Sequence, residues 1–341
     1  MQAVKMMKKN LPDFIQAIEL YGTLWGPVRD GNQSVLGEIK HHTDLDMTSV
    51  RTTLPIKKLL LPPEFPMFSF DDGKAEACPT SVMDTVVFGL HPCDIHGLRH
   101  LDHFFSSHYQ DPYYLERRKK TVIIGLSCMP DEKCFCKTTN THHAESGFDL
   151  FLTDLGEFYL IWVGSRPGDN ILRDCSGLLE KKLTSADMDK YVQWRRMRDQ
   201  SFSLDLDFSG MPSIMELCWD HPMWEELGSC CLSCGVCTIV CPTCPCFNVR
   251  DDMFPGQNRG FRIRQWDSCT FNNYSLVAGG HNFRQSRSER LKLRFTHKLQ
   301  AFVGKFGEPA CVGCGRCIDT CPTGIDIRSV SLRLRGEEVS S

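Results

Sequence analysis

Eight cysteines of this chain fall into two matching runs. Cys231, Cys234, Cys237 and Cys241 recur as Cys311, Cys314, Cys317 and Cys321, and Pro-Thr follows the last cysteine of each run. Both read C-x2-C-x2-C-x3-C-P, the bacterial-type ligand run for [4Fe–4S] clusters. Two-residue gaps let three thiolates wrap one cuboidal core, while the fourth cysteine turns away toward the other cluster. The expected ligand sets are therefore crossed: Cys231, Cys234, Cys237 and Cys321 for one cluster, Cys311, Cys314, Cys317 and Cys241 for the other. Ser233, Gly235, Gly313 and Gly315 are small, which suits close approach of backbone to an inorganic core. Zinc knuckles are the alternative. They typically pair two C-x2-C units across a longer loop and do not require four cysteines in eleven residues, twice.

A third set is expected upstream from Cys93, Cys128, Cys134 and Cys136. Cys93 and Cys128 each follow a short apolar run, Thr85–Leu90 and Thr121–Leu126. If those runs are parallel neighbouring strands, both thiols stand at the carboxyl edge of a sheet, where sites collect in open α/β folds. Cys134 and Cys136 come from the loop that follows. Four converging thiols suit one further [4Fe–4S] cluster; a zinc site with the same ligands, or merely buried thiols, are the alternatives. Cys78, Cys175, Cys218 and Cys230 lack matching spacing and read as structural. Cys244, Cys246 and Cys269 read either as thiols packed beside the clusters or as a further metal-binding or reactive group.

The scaffold divides as the cysteines do: six of the 19 lie in residues 1–217 and thirteen in 218–321. A Ser/Asp/Gly/Pro-containing stretch near 205–220 marks the change. The expectation is a mixed α+β chain: an N-terminal α/β domain (1–215) with the third site, then a mostly helical ferredoxin-like domain (216–341) with two clusters. In the first part, 95–105 reads as a helix between the two strands. Residues 148–153 and 157–163 read as a hairpin around Asp154-Leu155-Gly156, and Ser185 reads as the N-cap of a helix to about Arg198. GPVRDGNQSVLGEI reads as a loop or hairpin covering this domain. The second part reads as short helices and loops. Ser286 with Glu289 forms a capping-box pattern opening a helix that Gly307 and Pro309 stop.

Several stretches resemble a known family: CLSCGVCTIVCPTCPCFNV, RQWDSC, AGGHNFR, RSERLKLRFTHK and CVGCGRCIDTCP, with HPCDIHGLRHLDHFF and SCMPDEKCFC upstream. They are similar to the iron–sulfur beta subunits of cytoplasmic sulfhydrogenases and to the corresponding iron–sulfur component of anaerobic sulfite reductase, over roughly residues 80–327. The resemblance implies a non-catalytic electron-transfer subunit. It also implies two kinds of neighbour: a flavoprotein that oxidises NAD(P)H, and a catalytic hydrogenase, sulfite reductase or heterodisulfide-reductase-like subunit.

Composition excludes other classes. Net charge is −3, from 39 basic and 42 acidic residues. With no recognisable fold motif, nucleic-acid binding is not expected. No apolar run spans a membrane. The start of the chain has no apolar core after its basic residues, so a cytoplasmic location is expected, where thiols stay free for metal. No G-x-G-x-x-G follows a strand and no Walker A loop occurs, so nucleotide and flavin sites are expected on another chain. His96, His100 and His103 share a helical face and read as partly exposed polar positions. Arg284, Arg287, Arg290, Lys292, Arg294 and Lys298 read equally as a solvated face or as a positive patch offsetting cluster charge or docking an acidic partner. Three functions follow: an electron relay; a disulfide, polysulfide or sulfite reductase component using Cys244, Cys246 or Cys269; or a zinc-holding binding module.

Overall fold

The computed structural model of the protein describes residues 2–78, 82–180 and 182–337. Twelve strands are described: β1 (Ala3–Met7), β2 (Thr23–Asp30), β3 (Gln33–Glu38), β4 (Glu64–Asp71), β5 (Lys74–Ala77), β6 (Thr85–Leu90), β7 (Thr121–Leu126), β8 (Leu150–Asp154), β9 (Phe158–Val163), β10 (Leu179–Glu180), β11 (Phe247–Met253) and β12 (Arg259–Trp266). Eight of them form one sheet in the order β10-β1-β9-β8-β7-β6-β2-β3. Its centre, β2-β6-β7-β8, is parallel. The fold is mixed α/β with a cysteine-rich C-terminal part.

The parallel centre explains the apolar runs. A sheet covered on both faces needs apolar residues at successive positions. Val86 and Phe88 face a core with Phe14, Ile15 and Ile18 of helix Leu11–Ile18 and Ile171 of helix Arg166–Asp174. Val87 faces the other core, with Ile95, Leu98 and Leu101 of helix Pro92–Ser106 and Tyr114 of helix Pro112–Lys119. Each fully buried chain of this kind contributes about 1.5–3 kcal/mol relative to an exposed one. The loops leaving β6 and β7 therefore start from a rigid edge, and Cys93 and Cys128 sit there.

Several expectations change. The 23–38 hairpin does not cover the domain: β2 enters the sheet beside β6, in parallel. The helix Ser185–Gln200 is capped by Thr184, whose hydroxyl accepts from the Asp187 N–H in a capping box, so Ser185 is its first residue. The second part is more than helices and loops. β11 and β12 pair, and β12 also pairs antiparallel with β4, giving a second sheet, β11-β12-β4-β5. Strands from both sides of residues 205–220 thus share one sheet. The Ser286–Glu289 capping box forms and opens helix Arg287–Thr296. That helix passes through a π segment, His297–Ala301, and continues as Phe302–Phe306 to Gly307 at φ +77°. Leu291, Phe295 and Leu299 pack on Met215, Met223 and Trp224 in a third core. Among the described residues no helix is long and apolar enough to cross a membrane.

Candidate cluster-binding sites

The sequence repeat is also a structural repeat. Gly235 and Gly315, both at φ +75°, open the short helices Val236–Ile239 and Arg316–Thr320, which carry the third cysteine of each run and pack together. Cys231, Cys234, Cys237 and Cys321 line one pocket. Cys241, Cys311, Cys314 and Cys317 line a second. The fourth cysteine of each run thus joins the other run's three. Cys230 is exposed and not among the lining residues.

The glycines of the motifs also lie close against other parts of the protein. A Cβ on Gly313 would lie 2.5 Å from backbone atoms of Cys136, and one on Gly315 would lie 2.6 Å from the Lys133 carbonyl oxygen. A Cβ on Gly235 would strike the Phe271 ring. These glycines admit neighbouring protein, and two of them admit the segment from Lys133 to Cys136.

Buried cations surround the pockets. Arg290, Arg294 and Lys298, four residues apart on one helical face, are each no more than 4 % exposed. The solvated-face reading therefore fails for these three, whereas Arg287 is exposed. Arg294 lines both pockets, and its Nη2 reaches the Cys237 carbonyl at 3.5 Å. Its Nε and Nη1 are buried with no hydrogen-bond partner. Lys298 Nζ donates to Thr243 Oγ1 (2.6 Å) and to Cys241 Sγ (3.4 Å). Burial works against the Lys298 ammonium, yet the Cys241, Cys244 and Cys311 thiols outweigh it and hold its pKa above the ordinary lysine value. Buried charge without a counter-charge is costly. Thiolate-bound anionic clusters would supply that counter-charge, so the residues present fit the group. No group of three or more His, Cys, Asp or Glu side chains among the described residues is arranged to hold a single metal ion.

The upstream set lies against the second pocket. Cys93 and Cys136 are buried together with Val312, and Cys314 packs on them. The thiols of Cys128, Cys134 and Cys314 all act on Cys136, which burial above all pushes well up. Arg51 ties the set to the repeat: its Nη2 reaches Cys134 Sγ at 3.2 Å, its Nε donates to the Cys314 carbonyl at 3.1 Å, and it pairs with Asp131. Phe135 N–H donates to the Gly313 carbonyl at 2.9 Å, and Thr141 Oγ1 to that of Val312 at 2.7 Å. His91 is buried, with Nδ1 and Nε2 each 2.8 Å from a carbonyl oxygen, of Leu126 and Ser49. Two acceptors need two N–H donors, so the imidazolium suits the site. Burial pushes its pKa down, but the Cys128 thiol and these carbonyls carry it up to about 9. His100 is buried too; His103 alone of the three-histidine face is exposed.

Arg316 and Asp94 form the deepest tie, at 2.9 Å with side chains 1 % and 5 % exposed. Asp94 follows Cys93 and Arg316 lies between Cys314 and Cys317, so one ion pair braces two cysteine sets. Asp94→Asn takes the paired carboxylate from a buried guanidinium, and should cost about 3–5 kcal/mol. Denaturant unfolding of the anaerobically purified protein checks this; a cost under about 1 kcal/mol would show that the pair does not brace the sites.

Of the remaining thiols, Cys244 is buried and hydrogen-bonded to Cys241. Cys246 is hydrogen-bonded to Cys269 and Tyr274, and the Cys269 contact above all draws its pKa down to about 6. Cys175 is buried in the sheet core, and Cys218 Sγ reaches the Leu334 carbonyl at 3.7 Å. The sequence reading missed Arg51, His91, Asp94 and Arg316 as parts of the sites. The four-residue spacing of Arg290, Arg294 and Lys298 was a usable signal for a shared face.

Comparison with known proteins agrees with this layout. A family profile described as a 4Fe-4S dicluster domain matches residues 230–325, an electron-transfer module. The chain is 36 % identical over 330 residues to "Sulfhydrogenase 2 subunit beta" of Pyrococcus furiosus, covering 96 % of each chain. The cysteine-lined pockets, the dicluster match and this end-to-end likeness together place the chain in the family of sulfhydrogenase iron–sulfur beta subunits.

Proposed function

We propose that this chain is an electron-relay subunit, passing single electrons between a flavoprotein partner that oxidises NAD(P)H and a catalytic hydrogenase or reductase partner in a cytoplasmic complex. The observation that carries the reading is the contiguity of three cysteine sets: Cys93 and Cys136 of the upstream set abut Cys314, and the two pockets share Arg294. Cys234 is exposed at the far end. In this reading Cys231, Cys234, Cys237 and Cys321 hold one [4Fe–4S] cluster, Cys311, Cys314, Cys317 and Cys241 a second, and Cys93, Cys128, Cys134 and Cys136 a third. When bound, such clusters supply one-electron chemistry at potentials set by charge, hydrogen bonds and burial. The protein's part is to hold the sets close, exclude water and fix the buried cations beside them. The Pyrococcus relative is named as a subunit, which supports a partnered role. The reductase reading through Cys244, Cys246 or Cys269 has less support, since Cys244 and Cys269 are buried and hydrogen-bonded to neighbouring thiols.

A hydride donor delivers electrons in pairs, and a flavin must split them before a one-electron carrier can take them. The purified chain should therefore be reduced by dithionite or a reduced viologen, but not by NADH or NADPH. Adding the flavoprotein partner should restore reduction by the pyridine nucleotide. Stoichiometric flavin on the isolated chain, together with NADH oxidation by it alone, would overturn the reading.

A further inference from the structure

The two runs are alike in sequence, and their fourth cysteines begin alike in structure. Each faces the threonine two residues on: Cys241 Sγ lies 3.1 Å from Thr243 Oγ1, and Cys321 Sγ lies 3.6 Å from Thr323 Oγ1. There the likeness ends. At Cys321 the close donor is a neutral backbone N–H, that of Ile325, at 3.3 Å. At Cys241 it is the Lys298 ammonium, 4 % exposed, at 3.4 Å. Cys244 places a second buried thiol beside Cys241, one that has no counterpart after Cys321, where Gly324 stands.

Thr243 holds the ammonium in place. A hydroxyl has one proton, and Thr243 Oγ1 donates it to the Ala310 carbonyl at 2.9 Å. Its lone pairs are then left to accept from Lys298 Nζ at 2.6 Å. A second ammonium stands behind: Lys57, 3 % exposed, donates to the Thr238 and Cys244 carbonyls and lies 4.7 Å over the Trp266 ring. Arg294 lines both pockets and so does not distinguish them.

A positive charge and sulfur-directed hydrogen bonds both favour the more negative, reduced form of a thiolate-ligated centre, and so raise its potential. We infer that Lys298, positioned by Thr243 and assisted by Cys244, holds the centre of Cys241, Cys311, Cys314 and Cys317 at a higher reduction potential than the repeat-related centre of Cys231, Cys234, Cys237 and Cys321. An electron arriving at the exposed Cys234 side is then drawn inward. This rests on the relay reading, and Lys298 acts in it as a positioning and tuning residue.

The test is a redox titration of the anaerobically purified full chain, followed by electron paramagnetic resonance. The signal lost in Cys241→Ser marks the second centre. Lys298→Met should lower the potential of that signal by about tenfold in its reduction equilibrium, about 59 mV for one electron, and leave the other signals in place. Lys298→Arg, keeping the charge, should recover most of the shift. A Lys298→Met protein with full iron and an unmoved signal overturns the inference while leaving the relay reading intact. If Lys298→Met loses iron, Cys244→Ala decides: a lowered potential supports the inference and an unchanged one overturns it. A wild-type chain that binds no iron fails the relay reading itself.

Discussion

Cys241→Ser is expected to strip about four iron atoms from the chain, and to take them from the centre built by the other run. Cys241 lies in sequence beside Cys237, but in space it lines the pocket of Cys311, Cys314 and Cys317. Serine keeps the shape and removes the soft thiolate, so the loss reports ligation and not packing. Anaerobic iron and sulfide analysis gives the count, and spectra of the reduced protein give the location. Damage confined to the centre of Cys231, Cys234 and Cys237 would refute the crossed arrangement.

The second large effect concerns the upstream set. The intact chain should carry about twelve iron and twelve sulfide, and Cys93→Ser should lower each by about four. Cys93 is 8 % exposed and lies in the first turn of its helix at the rigid end of β6, so serine should fit without repacking. Retained circular dichroism and the two remaining signals would separate cluster loss from unfolding. A wild type with about eight of each, or with zinc in the upstream set, would remove the third centre from the relay.

What could be read from the sequence follows the range of the forces involved. The cysteine runs were legible because ligand spacing is a local, covalent constraint. The β6 and β7 runs were legible because a two-sided core demands unbroken apolar strands. The upstream set was legible only through them, as thiols at a sheet edge. The buried cations were not, because a helix bearing Arg290, Arg294 and Lys298 has the same composition whether its basic face meets water or sulfur. Their burial is decided by Leu291, Phe295 and Leu299 docking on residues some 70 positions earlier. The second sheet was hidden for a related reason. Phe247–Met253 carries three charges in seven residues, and its place depends on β12 pairing with a strand near the start of the chain.

That pairing sets the order of assembly during synthesis. Asp71 must wait for Arg259, its partner in the β4–β12 ladder. At roughly 5–20 residues per second, the delay is about 10–40 s, during which the β4 edge of the β4–β5 hairpin stays open. Crossing of the ligand sets lengthens the wait. The first run's three thiols emerge together, but their fourth partner, Cys321, lies 80 residues beyond Cys241 and emerges later. A nascent chain thus displays three-thiol sites before any repeat-derived four-thiol site is complete, and metal delivered early would meet open coordination. Productive loading belongs after the ribosome has passed residue 321, which makes the timing of iron–sulfur delivery as much a determinant of yield as its supply.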